Sequence, residues 1–159
     1  MSNMNPLCQR RAAVLTAIVL AVGATHAEER GAGVALDPAY QQECSACHIA
    51  YPPAMLSADS WQRLMGTLPQ HFGSDASLDP KTAASLTSWL TANAARGRRA
   101  RDVATADRIT RTHWFVHEHE EVSADVWQRA SVRSAANCAA CHTGAARGDF
   151  NDDNIHIPK

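Results

Sequence analysis

Apolar positions in this chain recur at helical rather than alternating spacing. Trp61, Leu64, Met65 and Leu68 fall three or four residues apart, the repeat of a single helix face. Ser57 stands ahead of that stripe as an N-cap, and Pro69 follows just past its end. A second helix is predicted from Asp79 as cap and Pro80 as first helical residue. It carries Leu86, Trp89 and Leu90 inward and ends near Gly97. Further on, Trp114, Phe115, His119 and Val122 hold helical register. Ser123 then caps a segment bearing Val126, Trp127 and Ala130. Tyr51-Pro52-Pro53 is a helix breaker. Strand-like alternation is nearly absent, so the pattern predicts an all-α fold.

The apolar run Ala12 to Ala24 is of a different kind. Arg10-Arg11 precedes it and Thr25-His26-Ala27-Glu28 follows. A positive flank, a short apolar core and small residues before an acidic start describe a secretory signal peptide over residues 1–27, cut near Ala27. A span would need about 20 apolar residues, which leaves an uncleaved anchor as the lesser alternative. The expected location is the periplasm. Removing residues 1–27 leaves 13 basic against 16 acidic residues, a balance of −3. Nucleic acid is not an expected partner. The brief cluster Arg96, Arg98, Arg99 and Arg101 reads as solvated linker, within an expected connection over 96–106. Two small domains are expected, 28–100 and 101–159.

Cysteine spacing says what each domain holds. Cys8 lies in the expected signal. The other four occur only as Cys44-Ser45-Ala46-Cys47-His48 and Cys138-Ala139-Ala140-Cys141-His142. Each is C-x-x-C-H, the c-type haem attachment signature. Two thiols three positions apart add to the two vinyl groups of one haem, and the adjacent histidine reaches the iron from the same face. A redox dithiol would not need the histidine, and a zinc site would make both histidines superfluous. Two covalently bound haems c are therefore expected, with Cys44, Cys47, Cys138 and Cys141 as attachment residues and His48 and His142 as iron ligands. The porphyrins would supply core that so short a chain lacks. Both domains are thus expected to bind haem, and the first, with its attachment site ahead of its helices, resembles a class I cytochrome c.

Each iron then needs a sixth ligand. For haem 1 the candidates are His71, in the loop Pro69-Gln70-His71-Phe72-Gly73, then Met65 and Met55. Met65 shares the stripe of Trp61, Leu64 and Leu68, which favours a core role. For haem 2 the second half holds no methionine, leaving His113, His117 and His119. His119 lies on the face of Phe115 and Val122, whereas His117 is turned about 200° away. Spacing alone leaves the three open. His156, in the acidic tail, reads as solvated.

The blocks Cys44 to Pro53, Trp61 and His71-Phe72-Gly73 resemble the bacterial dihaem cytochrome c family. So do Arg108-Ile109-Thr110, Trp114-Phe115, Trp127, Asn137 to His142 and Gly148-Asp149-Phe150. The resemblance implies bis-histidine irons, His48 with His71 and His142 with His119. It also implies a low-potential electron carrier rather than an enzyme, serving a small monohaem cytochrome c and a membrane cytochrome b. His113 departs from the family pattern, which has a proline there. The rival expectation is a dihaem enzyme, of peroxidase or nitrogen-oxide reductase type, in which His113, His117, Glu118 and Glu120 would serve an open iron.

Overall fold

The computed structural model describes residues 34–102 and 104–159. The expected signal peptide lies outside them. Among the described residues there is no strand, only two isolated bridges, His71 with Ser74 and His142 with Ile155. No described helix is long and apolar enough to cross a membrane.

The first helix, α1, spans Pro38–Cys44 and leads into the first attachment motif, ahead of the break at Tyr51-Pro52-Pro53. Asp37 caps it by accepting from the amides of Ala39 and Tyr40, with Pro38 in the first turn. Helix α2 spans Ala58–Gly66 behind Ser57, whose hydroxyl accepts from the Ser60 amide as expected. Helix α3 spans Pro80–Ala92, capped by Asp79 through the Lys81 and Thr82 amides. It ends five residues before Gly97, because the Asn93 side-chain amide donates to the Trp89 carbonyl and closes the last turn. One helical turn, α4 (Gly97–Ala100), then occupies the stretch read as linker.

Helix α5 spans His113–Glu118, with Thr112 as its cap. Helix α6 spans Ala124–Gln128. Ser123 stands at its N-cap position but gives its hydroxyl to the Asp125 carboxylate (2.6 Å) instead of accepting from an amide. The C-terminal segment, expected to have little structure, is pinned: the His156 amide donates to the Cys141 carbonyl (2.9 Å), and Arg129 donates to the Pro158 carbonyl (2.8 Å).

The main core gathers Tyr40, Leu56, Trp61, Leu86 and Leu90 from α1, α2, α3 and the turn before α2. Met65 and Leu64 pack against it, half-buried. Tyr40 meets Trp61 edge-on at 6.5 Å, and the Trp61 indole N–H donates to the Pro53 carbonyl at 2.7 Å. That bond aims the chain emerging from the first attachment motif into α2. Phe115, Val126, Val132 and Ala145 are buried in the second half.

The halves are joined by polar contacts. The Trp114 indole donates to the Met55 carbonyl (3.3 Å), and Arg63 forms an ion pair with Asp107 (2.6 Å). The Arg63 hydrogen bond, opposed by burial, holds the Asp107 carboxyl below its ordinary range. A depressed carboxylate stabilises the fold above its unfolded pKa of about 3.9, and that contribution disappears as pH falls through the lower folded value. Asp107→Asn should therefore lower the urea midpoint slightly at pH 7, since a half-exposed pair contributes little. The difference should vanish near pH 2; an equal deficit at both pH values would contradict this account.

Candidate functional site

Two pairs of histidines face one another. His48 follows α1, whose last residue is Cys44, and its ring lies 6.2 Å from that of His71, tilted by 32°. His142 ends the turn Cys138–Ala140 and Cys141, and its ring lies 6.1 Å from that of His119 at 68°. A ring nitrogen bonds a metal at about 2.0 Å and sits roughly 1.1 Å from its ring centre, so two imidazoles sharing one ion have centres about 6 Å apart. Both pairs have that spacing.

Local structure delivers each ring. His71 follows the turn Leu68–Gln70, and its carbonyl accepts from the Ser74 amide (3.0 Å). Between them Phe72 (φ 51°) and Gly73 (φ 98°) take left-handed conformations. Phe72 is strained there and is contacted by the His71 ring at 4.8 Å and by the Arg108 guanidinium at 4.1 Å. His119 stands one residue past the end of α5, not inside a helix that continues to Val122. The expected contact with Phe115 exists all the same: the rings stack at 4.1 Å and 19°.

Hydrogen bonds fix the tautomers of two of the four. His48 Nδ1 lies 2.7 Å from the Ile49 carbonyl, and His119 Nδ1 lies 2.8 Å from the Phe115 carbonyl. A carbonyl only accepts, so the proton resides on Nδ1 and Nε2 keeps its lone pair. For His48 the acceptor is the carbonyl of the very next residue. His71 and His142 each bury an Nδ1 without a partner. Burial lowers the pKa of both. For His71 the neighbours His48 and Arg108 add to the effect; for His142, His119 adds to it while Asp152 and Asp149 oppose it. Neutral imidazole is the form that binds metal, and an orphaned buried nitrogen is otherwise unfavourable by about 1–3 kcal/mol. The residues present thus fit an iron between each pair.

The four described cysteines form no disulfide. Burial pushes the Cys44 and Cys138 thiols up to about 11, helped at Cys44 by Glu43, and also raises Cys141. A mostly apolar cavity of about 530 Å³ opens beside the first pair, lined by Cys44, Cys47, His48, His71, Leu64 and Met65. It extends to Ala136 and Cys138, the approach to the second motif.

The other candidates lie outside. His113 is 95% exposed with Nδ1 3.0 Å from Asp102, and His117 is 74% exposed with Nδ1 3.4 Å from Glu120. His156 is exposed.

Residues 40–150 match the family described as dihaem cytochrome c. The chain belongs to that family. A dihaem cytochrome c from Rhodobacter sphaeroides is 49% identical and has a TM-score of 0.67, over 75% of this chain and 100% of the other. A second structure from that organism, of purified protein, is 48% identical (TM-score 0.64, 74% and 99% covered). A dihaem c-type cytochrome from Shewanella baltica is 34% identical (TM-score 0.67, 76% and 92% covered). No curated protein matches the chain. The cytochrome accordingly holds two covalently bound c-type haems and is a haem-based electron carrier.

Sequence reading missed three contributors to the site. Tyr51 stacks on His48 at 4.7 Å and 24°, and Phe150 lies 5.3 Å from His142. Asp102 accepts from the His113 and Trp114 amides, anchoring the start of α5. A tyrosine three residues after the motif histidine carries no periodic signal. Its role appears only once the chain has folded.

Proposed function

We propose that this cytochrome moves single electrons through two six-coordinate, bis-histidine haems. In this reading Cys44, Cys47, Cys138 and Cys141 attach the haems. His48 and His71 hold the first iron, and His142 and His119 the second. The observation that carries it is the pair of facing imidazoles at 6.2 and 6.1 Å. With both axial positions filled by the chain, no position remains for oxygen, peroxide or nitrite, which argues against the dihaem enzyme. His113 and His117, the acid–base groups such an enzyme would use, point to solvent beside Asp102 and Glu120.

Haem supplies reversible one-electron exchange. The chain's own part is to hold imidazole on both faces, which disfavours the high potentials of methionine ligation. The Ile49 and Phe115 carbonyls raise the basicity of His48 and His119 through Nδ1–H, stabilising the ferric state further. A backbone carbonyl ordered this way cannot be removed by side-chain substitution. The proposed setting is the periplasm, with a membrane cytochrome b and a small monohaem cytochrome c as redox partners, as the resemblance of the sequence implies.

Purified holoprotein should begin near Glu28 and show low-spin ferric and ferrous spectra that cyanide and CO leave unchanged. An uncleaved residue 1–27 segment would overturn the exported form proposed here. A high-spin fraction, or CO binding to the native protein, would overturn bis-histidine ligation.

A further inference from the structure

The Tyr51 side chain reaches from the first haem site to the approach of the second. The Tyr51 ring lies parallel to the His48 imidazole at 4.7 Å and 24°. Its hydroxyl donates to the Ala136 carbonyl at 2.7 Å, across 85 residues of sequence. Ala136 stands two residues before Cys138, and both line the cavity beside His48. Tyr51 is also fixed at its backbone: its carbonyl accepts from the Tyr40 hydroxyl at 2.9 Å, and Tyr40 is buried in the main core. With the backbone held there, the ring cannot turn away from His48 without breaking the hydroxyl bond to Ala136.

We propose that Tyr51 is the positioning residue that couples the two haem sites. The inference rests on the bis-histidine reading, because it takes His48 as an iron ligand. Two consequences follow from two different parts of the side chain. Stacking of the ring fixes the plane of the His48 imidazole, and the electronic signature of a low-spin ferric haem depends on how its two axial ring planes are set. The hydroxyl supplies a continuous route from that imidazole, across one ring contact and one hydrogen bond, into the backbone that ends in the Cys138 thioether. Exchange along it carries one electron, oxidising one iron as the other is reduced, with no proton and no third reactant.

A tyrosine that merely filled space would be replaced without loss by phenylalanine. Tyr51→Phe keeps the stacked ring and removes only the bond to Ala136. In half-reduced holoprotein, haem-methyl exchange measured by NMR should slow severalfold, while the ferric paramagnetic resonance of both haems stays at its native position. Tyr51→Leu removes the ring as well, and should shift the low-spin resonance of haem 1 while leaving that of haem 2 in place. Native exchange rates in Tyr51→Phe would overturn the proposal, as would an unmoved haem 1 resonance in Tyr51→Leu. Tyr51→Phe removes a single oxygen atom and keeps the ring, so the decisive exchange measurement survives even if Tyr51→Leu fails to fold. Failure of bis-histidine ligation itself would look different: the native protein, before any substitution, would contain a high-spin haem.

Discussion

Replacing His119 with alanine is expected to leave haem 2 five-coordinate. About half of the low-spin ferric signal, the share of one haem in two, should turn high-spin, and the ferrous protein should bind CO. The expectation rests on placement. His119 is half-buried, stacked on Phe115, and 6.1 Å from His142, with Nδ1–H committed to the Phe115 carbonyl and Nε2 left uncommitted. His71→Ala should do the same to haem 1 and leave haem 2 alone. His117→Ala and His113→Ala should leave both haems low-spin, because those rings stand in solvent against Glu120 and Asp102. If either of them opens haem 2 while His119→Ala does not, the second ligand pair is wrongly assigned.

The second large effect concerns the protein without its haems. Substituting Cys44, Cys47, Cys138 and Cys141 together by alanine should abolish most of the far-UV helical signal, not only the visible absorbance. The described core is thin: the residues buried below 2% exposure are Leu86, Leu90, Val132, Thr112, Ser60 and little else of size. Against it stands a cavity of about 530 Å³. At about 24 cal/mol for each Å³ of unfilled core, such a void is unfavourable by at most roughly 13 kcal/mol. That is a bound, since water enters an open hollow, but it equals the whole stability of an ordinary domain, about 5–15 kcal/mol. A quadruple variant that retained native helicity and a cooperative thermal transition would show that the chain folds without porphyrin.

Much of this was legible before any coordinates. The C-x-x-C-H spacing is a covalent constraint, so it reads the same in any fold, and the caps at Ser57 and Asp79 are local hydrogen bonds set by adjacent residues. Periodicity failed where helices are short. His119 was matched to Phe115 for the right reason and to Val122 for the wrong one, because α5 stops at Glu118 and the chain turns. The length of α3 was overread because Ala94 and Ala95 continue a helix-compatible pattern that the Asn93 cap interrupts. The C-terminal segment was underread: its order comes from long-range bonds to Cys141 and Arg129, which no local pattern encodes. Tyr51 escaped for the same reason, its partner being 85 residues away.

The order of the proposed ligands along the chain has a consequence for how the molecule assembles. His48 precedes His71 by 23 positions, and His119 precedes His142 by 23, so the attachment motif opens one segment and closes the other. Under the proposed ligation each iron would cross-link a loop of the same modest size. Closing such a loop removes chain entropy from the unfolded state worth roughly 3 kcal/mol in the simplest model. Neither loop contains the other, so each can close without waiting for its neighbour. Covalent attachment of either haem should then order its own segment as it happens, leaving the contacts between the halves to form last.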